Sequence, residues 1–229
     1  FLGGHGTYAA DGSYLSIYND NRTADPDPQR RWDSQHWSLW ITSGGGGIFK
    51  DIWTPSPFAA AGLYVSDTET PGKVYALSSE HHVRNEVILR RVANWRFYAL
   101  QTEEERHESA AALPLEIADC RNLLVANFFI YRVDTPVPFE TGIRVTHSSG
   151  LDFRGLHVYS PGKLSFDNTL VDQNRGIAVR SREIARLHLA GTAAGSNKLP
   201  PPPLVDGPRP EKVAGGFTNI DGLVADPAG

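Results

Sequence analysis

The sequence predicts an all-β solenoid, a parallel β-helix with coils of about 28 residues, from three observations: a fixed repeat, strand-like alternation of apolar residues, and little helical periodicity. "LRRVANWRFYALQTE" from Leu89, "IADCRNLLVANFFIYRV" from Ile117 and "VTHSSGLDFRGLHVYSP" from Val145 align without a gap at this constant step. The same step links Trp95, Leu123 and Leu151, then Phe97, Val125 and Phe153, then Leu100, Phe128 and Leu156. Within a unit the apolar residues fall in pairs two apart, as in Leu151 and Phe153, then Leu156 and Val158, which is strand spacing. One such coil cannot bury its inner face alone and must stack on the next. An all-β sandwich with coincidental spacing is the alternative architecture.

Taken in chain order, "ITSGGGGIFKDIWTPS" from Ile41 fits the coil template, with Phe49 and Ile52 in inward places. Its glycines lack the Lys-Ser/Thr of a phosphate loop and precede a strand, so they read as a turn. The three aligned coils follow. A fourth unit, "VRSREIARLHLAG" from Val179, follows Val145 by more than one step, and "SPGKLSFDNTLVDQ" is expected to loop out as the six-residue excess. The β-helix domain is placed at residues 1–192, a Pro/Gly-rich linker at 193–216, and the start of a second β domain at 217–229. The opening "FLGGHGTYAADG" has neither an initiator Met nor a signal pattern, and the domain is expected to be N-terminally incomplete.

At 229 residues, 40% hydrophobic and 21% charged, the composition is that of a globular protein with a sizeable core. A net charge of −4 provides no basic footprint, so nucleic acid and anionic membrane are not expected partners. Cys120 is the single cysteine, which rules out an internal disulfide; its apolar context reads as a small core or turn residue. No Gly-x-Ser-x-Gly elbow appears, so acyl chemistry has no support. Asp20, Asp25 and Asp27 match no calcium loop, and neither a metal nor a cofactor is expected.

If Leu156 and Val158 point inward, His157 and Tyr159 point outward, and the repeat places equivalents one strand spacing away, about 4.8 Å. Two outward ladders result: Gln101, Phe129, His157, and beside it Glu103, Tyr131, Tyr159. Exposed aromatics on a flat sheet stack on sugar rings while neighbouring polar groups bind hydroxyls. The competing reading has long turns packing over Phe129 and Tyr131 as a satellite core.

Glu103, Glu104 and Glu105 end the first clear coil, with Glu103 on the outward ladder and the other two expected at its rim. Like charges in a row usually form a solvated turn. Glycoside hydrolysis, however, uses two carboxyl groups about 5–10 Å apart, a spacing that stacked coils supply. Glu103 or Glu104 is the candidate acid, with Glu80 or Asp167 as the second carboxylate. A lyase would need a base and a neutralising cation, which keeps Arg84, Arg132 and the pair His81, His82 among the candidate substrate-binding residues.

The strings "LSSEHHVRNEVILRRVANWRFYALQTEEER", "LPLEI", "LHVYS" and "KLSFDN" resemble bacterial pectate-lyase-superfamily β-helix proteins, and "FTNIDGLVADPAG" looks like the first strand of the gluconolactonase-like propeller fused to some of them. The resemblance implies a right-handed helix and an exported, secreted or periplasmic protein acting on polysaccharide. It brings no agreed catalytic set. Hydrolases, lyases, epimerases and non-catalytic binding modules share the fold. A glycoside hydrolase is the leading expectation, with a carbohydrate-binding module or a polysaccharide lyase as alternatives.

Overall fold

The structure, a computed structural model, describes residues 7–8, 14–15, 35–56, 59–105, 109, 111–133, 139–161 and 166–191. The expected linker and second domain lie outside these residues, as do Asp20, Asp25 and Asp27. No helix occurs among the described residues.

After a two-residue antiparallel pair, β1 (Thr7–Tyr8) with β2 (Tyr14–Leu15), the chain winds into a parallel β-solenoid of about four turns. One sheet has seven strands: β3 (Gln35–Ile41), β5 (Ala59–Thr68), β7 (Asn85–Val92), β9 (Leu113–Ala118), β11 (Phe139–Thr146), β13 (Phe166–Asp172) and β14 (Ile177–Val179). The other has six: β4 (Gly47–Pro55), β6 (Gly72–Glu80), β8 (Trp95–Glu105), β10 (Arg121–Val133), β12 (Ser149–Tyr159) and β15 (Glu183–Leu189). Through β13 the chain alternates between the sheets, so each parallel strand pairs with the one a full coil away.

The expected ladders are the observed registers. Leu89 pairs with Ile117 and Ile117 with Val145; Phe97 pairs with Val125 and Val125 with Phe153; Leu100 pairs with Phe128 and Phe128 with Leu156. These residues are at most 2% exposed and form one continuous core. Phe49 and Ile52 extend it as partly buried members, as expected. The earlier coils are shorter: Leu63 pairs with Val87 and Leu77 with Leu100, each step falling short of the one that joins Val125 to Phe153.

The gap of three between paired inward residues has a backbone cause. Between Phe97 and Leu100, Ala99 adopts φ 54°, and the equivalent places are held by Asp51 (53°), Ala76 (54°), Asn127 (54°) and Gly155 (62°). Each left-handed residue takes up one extra position, so Phe97 and Leu100 both face the core. A non-glycine residue there costs about 1–2 kcal/mol, and the column persists because the stacked rows on either side hold it.

The fourth unit departs from expectation. Phe166–Asp172, expected as a loop, is β13 and continues the parallel coil, with Val145 opposite Asp172. The stretch after Val179 is not a further coil: β14 runs antiparallel to β13, and β15 runs antiparallel to β12, placing Leu189 against Leu151. Reversal lets β15 cover the last strand edge while burying Leu189 on the core.

Because Ala99 already occupies a left-handed site, Ala99→Gly is expected to raise unfolding stability by about 0.5 kcal/mol, the relieved strain exceeding the added backbone entropy. Gly155→Ala, whose new Cβ would sit 2.9 Å from Asn127 Oδ1, is expected to lower stability by about 1 kcal/mol or more. Urea titration of the two variants checks the opposite signs.

Candidate functional site

The outward face of the six-stranded sheet carries the two predicted ladders in the expected register. Gln101 pairs with Phe129 and Phe129 with His157; Glu103 pairs with Tyr131 and Tyr131 with Tyr159. Phe129 is 41% and Tyr159 55% exposed, while Tyr131 is half-buried. They stack on each other: Phe129 with His157 at 4.5 Å, Phe129 with Tyr131 at 6.3 Å, and Tyr131 edge-on to Tyr159 at 5.7 Å.

The same rows run back toward β4. Glu80 is the register partner of Glu103, and Ser78 of Gln101. This places the Glu80 and Glu103 backbones on neighbouring rungs, about 4.8 Å apart by strand spacing. The Glu80 carboxylate accepts hydrogen bonds from Trp53 Nε1 (2.9 Å), Ser78 Oγ (2.6 Å) and Gln101 Nε2 (3.2 Å). Its side chain keeps 13% of its exposure, enough to present an edge to a ligand. Next to it, a shallow depression of about 300 Å³ is bordered by Asp51, Trp53, Ser78 and Gln101, with Ala76 and Ala99 at the left-handed positions.

Burial, and then the negative charge of Glu80, push the Glu103 carboxyl up to about 7, with His81 pulling weakly the other way. An acid retained near neutral pH thus stands beside a second carboxyl group that three donors hold in place. That asymmetry of environment divides acid from base or nucleophile in a carboxylate pair.

Glu104 is not at the rim, which corrects the expectation from sequence. The inward phase Leu100, Thr102, Glu104 carries it inside the coil, fully buried and opposite Arg132 on β10. Among the described residues no hydrogen bond within ordinary distance and angle limits reaches either of its carboxylate oxygens. Burial first, then the charge of Glu86, hold its pKa well above the usual carboxylate range, against the pull of Arg132. Arg132 is itself 1% exposed, with its guanidinium 5.3 Å from the Phe139 ring centroid and 5.5 Å from that of Phe166.

The histidine pair is also interior, and not on the outward face where substrate contacts were expected. His81 is 2% exposed, with Nε2 3.8 Å from Glu80 Oε2. His82 is fully buried: Nδ1 lies 2.6 Å from Glu86 Oε2, and Nε2 lies 3.0 Å from Ser38 Oγ and 3.3 Å from Thr54 Oγ1. Ser79 Oγ and the His82 backbone N–H also donate to Glu86. Gly62 makes room for this cluster, since a Cβ there would meet Ser79 Oγ at 2.0 Å and His82 Cε1 at 2.7 Å.

Asp167 is exposed on β13, in the opposite sheet and two coils beyond the strand that follows Glu103, so the fold does not bring it beside Glu103. Arg84 is half-buried at the turn into β7, where its carbonyl accepts from Leu113 N–H. His157 Nδ1 lies 2.6 Å from Glu183 Oε2, so the antiparallel strand β15 engages the far end of the ladder. Trp53 and Ser78 were not singled out from sequence; they sit in the Gln101 row, but the coils that separate them from it are shorter than the regular repeat. Cys120 is a core residue, 2% exposed, its thiol pushed up to about 11 by burial.

Raised carboxyl pKa values set a direction for stability against pH. Between the ordinary glutamate value near 4.5 and about 7, folded Glu103 binds more proton than unfolded Glu103, so stability is greatest below that window and is lost across it as pH rises. Glu103→Gln is expected to flatten this decline, measured as denaturant midpoints at pH 4.5, 6 and 8; a decline of unchanged slope would contradict the assignment. In comparisons of the chain with family models, curated proteins and solved structures, none matches it.

Proposed function

We propose that the protein is a carbohydrate-active enzyme, a glycoside hydrolase that binds polysaccharide along the outward aromatic ladder. The observation that carries this reading is the Glu80–Glu103 pair: two carboxyl groups on adjacent rungs, one with its pKa near 7, at the end of a row continued by Tyr131 and the exposed Tyr159. Glu103 would protonate the glycosidic oxygen. Glu80, steadied by Trp53, Ser78 and Gln101, would act from the neighbouring rung as the base or nucleophile. The pectate-lyase-superfamily resemblance fits a polysaccharide ligand and an exported protein, and both belong to this proposal.

One observation favours a second reading, a binding module without turnover. Three donors on Glu80 are also what a purely structural carboxylate would attract.

Incubation with plant and bacterial polysaccharides, reading reducing ends, unsaturated products and retained binding together, separates the readings. A hydrolase yields new reducing ends, and Glu103→Gln is expected to lower their rate by about 10²–10⁴-fold. The wild-type rate is expected to fall as pH rises through about 7, when Glu103 loses its proton. Tyr131→Ala is expected to weaken binding about fivefold with the chemistry intact, the loss of one stacking contact worth about 1 kcal/mol. Unsaturated products would make it a lyase, and binding that needs Tyr131 without any product would make it a module.

A further inference from the structure

The resemblance to a superfamily that includes enzymes of acidic polysaccharides makes a uronic acid polymer the obvious ligand, yet the charges on this face are arranged against one. Resting on the carbohydrate reading above, we infer that this outward face selects glycans without carboxylates, neutral or amino-bearing, and rejects polyuronates.

The argument starts from where the strands place their charges. At the C-terminal ends of β6 and β8 the outward positions are Glu80, Glu103 and Glu105, and Asp51 borders the depression beside Trp53. The cations near these carboxylates are buried, Arg132 at 1% and His81 at 2% exposure, with His81 Nε2 3.8 Å from Glu80 Oε2. Other cations on the sheet lie toward the opposite ends of the strands, Lys50 in register with Tyr75, and Lys73 with Ile48 and Arg96.

Several of the arginines are also committed to the protein. Arg96 donates to Trp95 O, Asn122 O and Asn122 Oδ1. Arg154 and Arg186 both bond Asp152, and His157 is held by Glu183. A uronate bound over Phe129 and Tyr131 would therefore bring its carboxylates against Glu80 and Glu103, while the exposed guanidiniums of Arg154 and Arg186 on the same sheet are already bonded to Asp152, and like charges at such distances repel. Neutral hydroxyls meet the opposite situation, with carboxylate oxygens to accept from them and aromatic faces to cover their C–H surfaces. An amino sugar gains a charge partner as well.

Calorimetry on the wild-type chain with hexasaccharides of three kinds, cellohexaose and related neutral oligomers, the glucosamine hexamer, and the galacturonate hexamer, tests the inference. The better of the neutral and amino-bearing hexamers is expected to bind at least tenfold tighter than galacturonate in low salt. This gap should narrow in 0.5 M NaCl as screening weakens the repulsion. Ala99→Lys places a cation at the depression without touching a carboxylate and is expected to raise galacturonate affinity about tenfold; Ala76→Lys, at the equivalent position one coil away, repeats the measurement should the first variant fold poorly. Galacturonate binding as tightly as the others overturns the substrate class and leaves the carbohydrate reading standing. No binding by any of the three kinds overturns both.

Discussion

Everything on this molecule depends on the parallel backbone register between successive coils. The ladder that sets Leu100 over Phe128 inside sets Gln101 beside Phe129 and Glu103 beside Tyr131 outside. Core and candidate site are therefore two faces of one hydrogen-bonding pattern. A slip of one residue would turn the whole inner row outward, so burial of Phe97, Leu100 and Phe128 fixes the spacing of the outward side chains as firmly as it fixes the core. That rigidity is what a site built from neighbouring rungs requires, because no loop closure is needed to bring Glu80 and Glu103 together.

The solenoid interior is not uniformly apolar. Along the inward rows, Ile130 and Val158 are preceded in register by Thr102, Ser79 and Thr54, and the corner toward the next sheet holds Glu86, His82, Glu104 and Arg132. Buried charge is tolerated only where partners or protonation remove it. Around Glu86 the partners are present, in His82 and Ser79. At Glu104 burial and the charge of Glu86 raise the carboxyl pKa, which favours the neutral acid, against the pull of Arg132. The carboxyl that looked from sequence like an alternative candidate acid is thus part of the interior of the coil, while the neighbouring Glu103 faces out at the same level.

Much of this was legible beforehand because the repeat is strict where it occurs: Leu89, Ile117 and Val145 lie in one register column, and the two outward ladders follow by alternation. The interior polar residues were legible in principle too. Leu100, Thr102, Glu104 and Phe128, Ile130, Arg132 continue one inward phase, and charge alone argued for placing Glu104 and Arg132 outside. Harder to see were the early coils, whose shorter and unequal steps hid the alignment of Trp53 with Ser78 and Gln101. The reversal at β15 carried no signal, since Ile184 and Leu187 look like another strand and nothing local states its direction.

That reversal makes the two ends of the stack inequivalent. A parallel coil offers the next coil the same template it received, so in principle winding can continue indefinitely. An antiparallel strand offers a different hydrogen-bond pattern, and β15 turns the chain back along β12 with Leu189 seated on Leu151. Among the described residues the parallel winding ends here for a geometric reason. The solenoid thereby has a defined length on this side, and the exposed ladder can present only as many rungs as lie before the turn.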